Sequence, residues 1–340
     1  MQAFIAHADQ TGAGSMLPRA GIFRILVCRT SHSLGNTLFM TPLLQEIDAL
    51  WPGAEVDLVT RYASAPQIFA SYPSIRNVMV LPRRAIRHPL RWLKTLLRMR
   101  RTRYDLAIDT DVRSRTGRFL LRLAHARHKL GFAGRGALTV AIDGSHAPKH
   151  AAHFPVFLLR QALGLANQDY APLSTRLTPV ERRQGQARLI HVAGAAAKKT
   201  RGIVGIFANA TGPKAMSAQW WADFMREAET HLADYTIVEI IPAFGHSMLG
   251  GRYPAYYSSD IRNLSRFLSA LSMLICLDCG IMHLARASGT RVGAVFTTTD
   301  VDIWGPYGAG AHVVRGDAEH PQNAASKLME VLAIAAPAAA

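Results

Sequence analysis

Acidic side chains are scarce in this chain of 340 residues: 23 Asp and Glu stand against 39 Lys and Arg, a formal charge of +16. Cysteine is scarcer still, with three residues, Cys28, Cys276 and Cys279. Cys28 and Cys276 sit inside apolar runs that read as buried strands, which excludes a disulfide framework and fits a reducing cytoplasm. No apolar run reaches the roughly 18 residues of a membrane-spanning helix. The opening MQAFIAHADQTGAGSM lacks the basic end and apolar core of a secretory signal and reads as a loose polar extension. No group of His, Cys, Asp or Glu has metal-ligand spacing, so neither a structural nor a catalytic metal is expected. Zinc-finger spacing, an RNA-binding signature and a basic zipper are also missing, so the positive charge does not by itself indicate specific nucleic-acid binding.

What is present is globular. Apolar residues make up 49% of the chain and charged ones 18%, and the length accommodates two α/β domains of ordinary size. Much of the positive charge falls between Arg83 and Arg135, including Arg83, Arg84, Arg91, Lys94, Arg98, Arg100, Arg101 and Arg103. Such a run is either a solvated helix face or a surface for an acidic acceptor or membrane phospholipid.

Short apolar runs alternate with helical patterns. Phe23 to Arg29, Ala54 to Thr60, Val78 to Leu81 and Tyr104 to Asp109 read as buried strands, and Thr37 to Leu50 as a helix with Leu38, Leu43, Leu44, Ile47 and Leu50 on one side. Regularity weakens between residues 166 and 201. A second series then begins at Gly202 to Phe207 and continues through Tyr235 to Ile241, Met273 to Asp278 and Val292 to Phe296, with a last helix near Asn323 to Ile334. The division expected is a flexible extension (1–20), a first Rossmann-like domain (21–165), a linker region (166–201), a second Rossmann-like domain (202–325) and a terminal helix and tail (326–340). Ligands are expected in the cleft between the two domains.

Three turns hold residues suited to chemistry. Thr30 to Thr37 (TSHSLGNT) follows the first strand; Gly35 permits close backbone approach and the helix start favours negative charge, although a single glycine turn on its own is better read as a plain structural turn. Asp278 to Ala285 (DCGIMHLA) follows a buried strand, where Asp278 suits a helix N-cap and the amides of Cys279 to Met282 suit a diphosphate cradle. The alternative there is a capped turn with His283 satisfied in the core. A third loop, TTTDVDIWGPYG from Thr297 to Gly308, offers hydroxyls for sugar or phosphate oxygens, while Trp304, Pro306 and Tyr307 suit loop packing.

Taken in order, these segments form a known pattern. RILVCRTSHSLGNTLFMTPLLQEIDALWPGAEVDLVT, YDLAIDTD, HKLGF, FANATGPK and LDCGIMHLARASGTRVGAVFTTTDVDIWGPYG resemble successive landmarks of glycosyltransferase family 9, the ADP-heptose:lipopolysaccharide heptosyltransferases, over residues 23 to 308. The resemblance implies an α/β GT-B fold, two Rossmann-like domains facing a central cleft, and an inverting, metal-independent transfer. It implies a nucleotide diphosphate sugar as substrate, ADP-heptose first, and no further cofactor. The donor would lie in the C-terminal domain on Thr211, Lys214, Asp278, Cys279, Gly280, Ile281, Met282 and His283. Lys214 and the Cys279 to Met282 amides would neutralise the leaving diphosphate, with Asp278 ordering their loop. An anionic glycan or glycolipid acceptor, such as a lipopolysaccharide core at the cytoplasmic face of the inner membrane, would meet Ser33, Gly35, Arg113 and Arg115.

The chain departs from the family pattern at the acceptor turn, where Asn36 stands in place of the Asp expected as general base. An amide has no useful basicity. Either another group takes the proton (His32, whose imidazole class titrates near neutral pH, Asp109 or Asp111), or Asn36 only orients an acceptor whose proton leaves to water, or the chain binds nucleotide sugar or glycan without transfer. On the donor side, Cys279 replaces the usual hydroxyl. The acidic contact near the nucleoside is not evident in IIPAFGHSMLGGRYP, where His246 and Ser247 stand.

Overall fold

The computed structural model describes residues 17–84, 87–112, 114–134, 138–194, 201–243 and 245–334. Arg113, Arg135, residues 1–16 of the extension, 195–200 of the linker region and 335–340 of the tail lie outside the described residues. The N-terminal half runs β1 (Arg24–Arg29), α1 (Leu34–Leu38), α2 (Thr41–Leu50), β2 (Glu55–Thr60), α3 (Ala65–Ile68), β3 (Ile75–Val80), α4 (Pro89–Arg101), β4 (Arg103–Asp109), α5 (Arg115–Leu123), β5 (His125–Phe132), β6 (Val140–Ile142) and α6 (Phe154–Leu163). The C-terminal half runs α7 (Pro179–Ala193), β7 (Gly202–Phe207), α8 (Ala218–His231), β8 (Tyr235–Ile241), β9 (Ala255–Tyr257), α9 (Ile261–Leu268), β10 (Met273–Leu277), α10 (Gly280–Ser288), β11 (Val292–Phe296), α11 (Val301–Trp304), β12 (Ala311–Arg315) and α12 (Pro321–Ile334).

Each half forms a six-stranded parallel sheet, in the orders β3-β2-β1-β4-β5-β6 and β12-β11-β10-β7-β8-β9. Read from its own first strand, the second order is the first one over again. Both are doubly wound sheets that reverse direction between the first and fourth strands, and a crevice opens there beyond the strand ends. This is the GT-B arrangement of two Rossmann-like domains. The central strands β1, β10 and β11 are almost wholly buried because helices cover both faces, so they read as continuous apolar runs rather than alternating ones.

One correction concerns the first helix. The pattern from Thr37 to Leu50 predicts a single helix, but the chain forms α1 and α2 with a break at Phe39 and Met40. Pro42 has no N–H to give the Leu38 carbonyl and its ring crowds that group. The Thr41 hydroxyl donates to Leu38 O instead, at 2.7 Å.

The two halves are clasped together. An apolar cluster extends from Val27 and Leu44 in the first half to Met282 and Leu284 in the second. The segment before α7 runs through this junction, with the Thr175 amide donating to Ala287 O at 2.8 Å. Buried Arg262 donates to Ser71 Oγ, to Thr175 O and to both oxygens of Glu181, holding that carboxyl well below its ordinary range. The loop beyond α11 closes the other side: Ala151 N donates to Ile303 O at 3.1 Å and the Tyr307 hydroxyl to Ala171 O at 2.9 Å.

Candidate functional site

The two crevices face one another and merge into a cleft of about 660 Å³. From the first half it is lined by Ser33, Leu34, Gly35, Asn36 and Phe39, beyond the end of β1. From the second half come Asn209, Thr211 and Lys214 beyond β7, Asp278 to Ile281 with His283 beyond β10, and Thr299 and Trp304 beyond β11. The structure therefore gathers most of the sequence-predicted donor and acceptor residues into one space, although up to 250 residues of chain separate them.

On the C-terminal side of the cleft, Lys214 ends a short 3-10 turn, Gly212–Lys214. Its Nζ lies 3.1 Å from Asp278 Oδ2, and Thr299 Oγ1 donates to the same oxygen. Asp278 is only 5% exposed, so this carboxylate is compensated by a cation and a hydroxyl rather than by water. The expectation that Asp278 caps α10 is corrected: Cys279 is the N-cap residue, and only its sulfur faces the first-turn amides. A sulfur is a weak acceptor. Burial would raise the Cys279 thiol pKa, but the neighbouring Cys276 thiol and the amides of Met282 and Ile281 outweigh it and draw it below the ordinary value. An oxyanion placed against this first turn would find amides served only by sulfur.

His283 is buried, with burial foremost and then the charges of His150 and Lys214 depressing its pKa to about 3. It is therefore a neutral imidazole, packed edge-on against Phe39 with ring centroids 4.7 Å apart. Gly35 makes that fit possible, because a Cβ there would stand 2.8 Å from His283 Cδ2. The Met282 side chain is fully buried in the core.

On the N-terminal side of the cleft, Asn36 is held from two directions. Its Oδ1 accepts from Arg29 NH2 at 3.0 Å, and its Nδ2 donates to Ser31 Oγ at 3.0 Å. Arg29, 6% exposed, also pairs with Asp111 Oδ1 at 2.9 Å. Asp111 further accepts from the Thr30 amide at 3.2 Å. Asp109 lies beneath the site with no exposed surface, 3.4 Å from Arg118 and directly under Gly117. Burial lifts its carboxyl to about 7 against the pull of Arg118. The cleft does not include it. Arg115 is an exposed residue at the start of α5, also outside the cleft.

His32 turns the other way. It borders a neighbouring recess of about 820 Å³ lined also by Arg61, Arg83, Arg84, Arg87 and Arg91. No carboxylate lines this recess among the described residues. Ser33, the next residue, lines the main cleft, so the β1–α1 turn is the partition between a basic recess and that cleft.

Asn209, among the lining residues, was not singled out from sequence. Asn209 Nδ2 is buried beside the Lys214 loop with no hydrogen-bond partner among the described residues. Trp304 stacks near Phe39 at 6.4 Å, bringing the WGPYG loop against the break between α1 and α2. The motif itself signalled Trp304, but nothing local signalled its partner. Glu239, fully buried on β8, accepts from Ser247 Oγ at 2.5 Å and from the Met248 amide at 2.9 Å, and so orders the loop after β8 from within. Among the described residues, no group of three or more His, Cys, Asp or Glu is placed to hold a metal ion.

A family model described as glycosyltransferase family 9 (heptosyltransferase) matches residues 259–332, from α9 into α12 and including the Asp278 to His283 loop. No curated protein matches the chain. Among solved structures, a family 9 glycosyl transferase from Veillonella parvula superposes with a TM-score of 0.74 at 18% identity, over 91% of this chain and 97% of that one. E. coli heptosyltransferase WaaC with ADP gives 0.70 at 18% identity, over 92% and 100%. E. coli ADP-heptose lps heptosyltransferase II gives 0.66 at 16% identity, over 91% and 99%. At such identities the structural likeness speaks for the fold. Together with the family model, it bears out the resemblance that the ordered motifs carry.

Proposed function

We propose that this chain is a family 9 glycosyltransferase that moves a sugar, with inversion and without a metal, from a nucleotide diphosphate to a bacterial surface glycan. ADP-heptose is the first candidate donor and a lipopolysaccharide core the first candidate acceptor, with a cytoplasmic location. In this reading residues 202–325 hold the donor and residues 21–165 the acceptor. The observation that carries it is Lys214 resting on Asp278 beside the weakly capped start of α10, directly across the cleft from Ser33 to Asn36.

The chemistry follows from charge. As the glycosidic bond to the diphosphate lengthens, negative charge grows on the leaving oxygen, and stabilising groups act best where they are already oriented. Lys214 transfers its contact from Asp278 to phosphate, and the amides of Gly280 to Met282 and Asn209 Nδ2 supply neutral donors. Asp278 keeps Lys214 aimed into the cleft while the site is empty. Across the cleft, Asn36 fixes the acceptor hydroxyl. His32, exposed on the same turn, takes its proton by rotating from the neighbouring recess towards the cleft; Asp111 is committed to Arg29 and Asp109 lies beneath the site. The recess of arginines beside His32 suits phosphate or carboxylate groups of an anionic acceptor.

A second reading has its own support. Because Asn36 is satisfied by Arg29 and Ser31, the turn is stable without a base, and such a protein would bind nucleotide sugar or glycan without transfer. Incubation with a panel of nucleotide sugars and truncated glycan separates the two. Turnover with one donor is expected; nucleotide diphosphate binding with no turnover on any donor leaves only the binding reading. A rise in melting temperature with one nucleotide diphosphate would identify the base, since specific binding stabilises the folded state.

A further inference from the structure

The helix α4 has two faces that do not match a helix at rest in water. Its inner face packs Trp92, Leu96 and Met99 onto the N-terminal sheet. Its outer face presents Leu90, Leu93 and Leu97, which are 79%, 52% and 44% exposed. Their i, i+3, i+7 spacing aligns them as one stripe. Arg91, Lys94, Arg100 and Arg101 are exposed on the flanks of that stripe, and none has a carboxylate within ion-pair distance among the described residues. On the same side of the sheet α5 exposes Phe119 (48%) next to Arg115 and Arg122. From Arg83 to Arg103 the chain has nine Lys and Arg, and it has no Asp or Glu anywhere between Asp57 and Asp105.

We propose that this face of α4 docks on an anionic phospholipid bilayer, with the leucine stripe entering the headgroup–acyl boundary and the flanking cations meeting phosphates. An apolar ridge bordered by Lys and Arg suits that layered environment, apolar below and anionic above. A second copy of this chain is disfavoured on the same surface, because it would set one cationic border against another. Exposed leucines in line, rather than scattered singly, also distinguish the face from an ordinary solvated helix. The N-terminal end of α4 supplies Arg91 to the basic recess beside His32, so a docked molecule would hold that recess at the membrane surface. This inference requires neither donor binding nor transfer, and its failure would leave both untouched.

Flotation of the full chain with vesicles tests it. Binding is expected to phosphatidylcholine vesicles containing phosphatidylglycerol and not to phosphatidylcholine alone. The combined Leu90→Ser, Leu93→Ser, Leu97→Ser variant and, separately, Lys94→Glu with Arg101→Glu should each lower partitioning about tenfold or more. Melting temperatures should stay near that of the parent, because these side chains are exposed. Unchanged partitioning of the leucine variant would overturn the proposal and reduce the interaction to net charge. A loss of self-association in that variant, seen by sedimentation velocity without any vesicle effect, would overturn it in favour of a copy–copy interface. If the serine variant fails to fold, the charge-reversal variant decides: unchanged flotation of that protein rejects the docking face.

Discussion

The two switch points are built on one topology and equipped in opposite ways. Beyond β7 and β10, Lys214 leans on Asp278 and the first turn of α10 has only sulfur for a cap, so cation and amides are available to an incoming anion. Beyond β1 and β4, the comparable charges are spent on one another: Arg29 pairs with Asp111 and donates to Asn36, and α1 is capped by Ser33. A doubly wound sheet decides where a ligand goes. Which residues stand at the strand ends, and whether their charges are already satisfied, decides what can happen there.

The sharpest way to break that contrast is Asn36→Asp. A carboxylate beside Arg29 would be ionised and would face the cleft, and a positioned base contributes about 10²-fold or more to proton transfer. Steady-state rates should rise by that order; an unchanged rate would mean that proton removal is not limiting. The companion change, His32→Ala, should lower kcat, and an unchanged kcat would rule His32 out as the base.

Next in size is Lys214→Ala. Losing a charge-assisted hydrogen bond to phosphate should weaken nucleotide diphosphate affinity by about 10- to 100-fold, as measured by calorimetry. Unchanged affinity would remove Lys214 from the donor site.

Gly35→Ala addresses the seam between the two regions. The added Cβ would press on His283, with an expected cost of about 1–3 kcal/mol and a lower melting temperature. The double change with His283→Ala should recover part of that loss, and a melting temperature unaffected by Gly35→Ala would show that the seam yields easily.

The smallest effect is in pH dependence. His283 has a folded-state pKa of about 3, below that of a free imidazole, so the unfolded chain binds the extra proton first. The stability it contributes is complete above the free value, near 6.5, and is lost as pH falls from there towards 3. Burial of His153, and then the nearby His150, likewise depress the His153 pKa, to about 4, and act in the same direction. Asp109 acts oppositely: its carboxyl is raised to about 7, so its contribution is present below the ordinary carboxylate range and declines as pH rises through 4 to 7. His283→Gln should therefore flatten the fall in melting temperature between pH 7 and 5 relative to the parent. An identical slope would mean that His283 is protonated in the fold without penalty.

Much of the architecture was readable in advance, and the exceptions have physical causes. Gly202–Phe207, Tyr235–Ile241 and Val292–Phe296 fall where their apolar runs place them. β5 was not singled out as a strand because HARHK is almost entirely basic and only Leu130 to Phe132 are buried, with no apolar run or alternation, so its strand character depends on pairing with β4. At the site, Lys214, Asp278 and the α10 turn were legible because the sequence of a strand-to-helix turn encodes amides and charge locally. The partners were not. Asp278 was expected to cap its own helix, yet its ligands are Lys214, 64 positions away, and Thr299, 21 positions away.

By itself, then, the sequence determined the two alternating β/α series, the absence of a disulfide framework, the cationic surface around α4 and the order of the motifs. These depend on composition and on periodicity along the chain, which neighbouring residues set among themselves. Only the tertiary structure decided that Asp109 would be buried, that Asn36 would be held by Arg29, that His32 would face a basic recess, and that His283 would sit neutral against Gly35 and Phe39. Each of those outcomes depends on desolvation and on the approach of groups from distant segments, and neither exists until both sheets are assembled and pressed together.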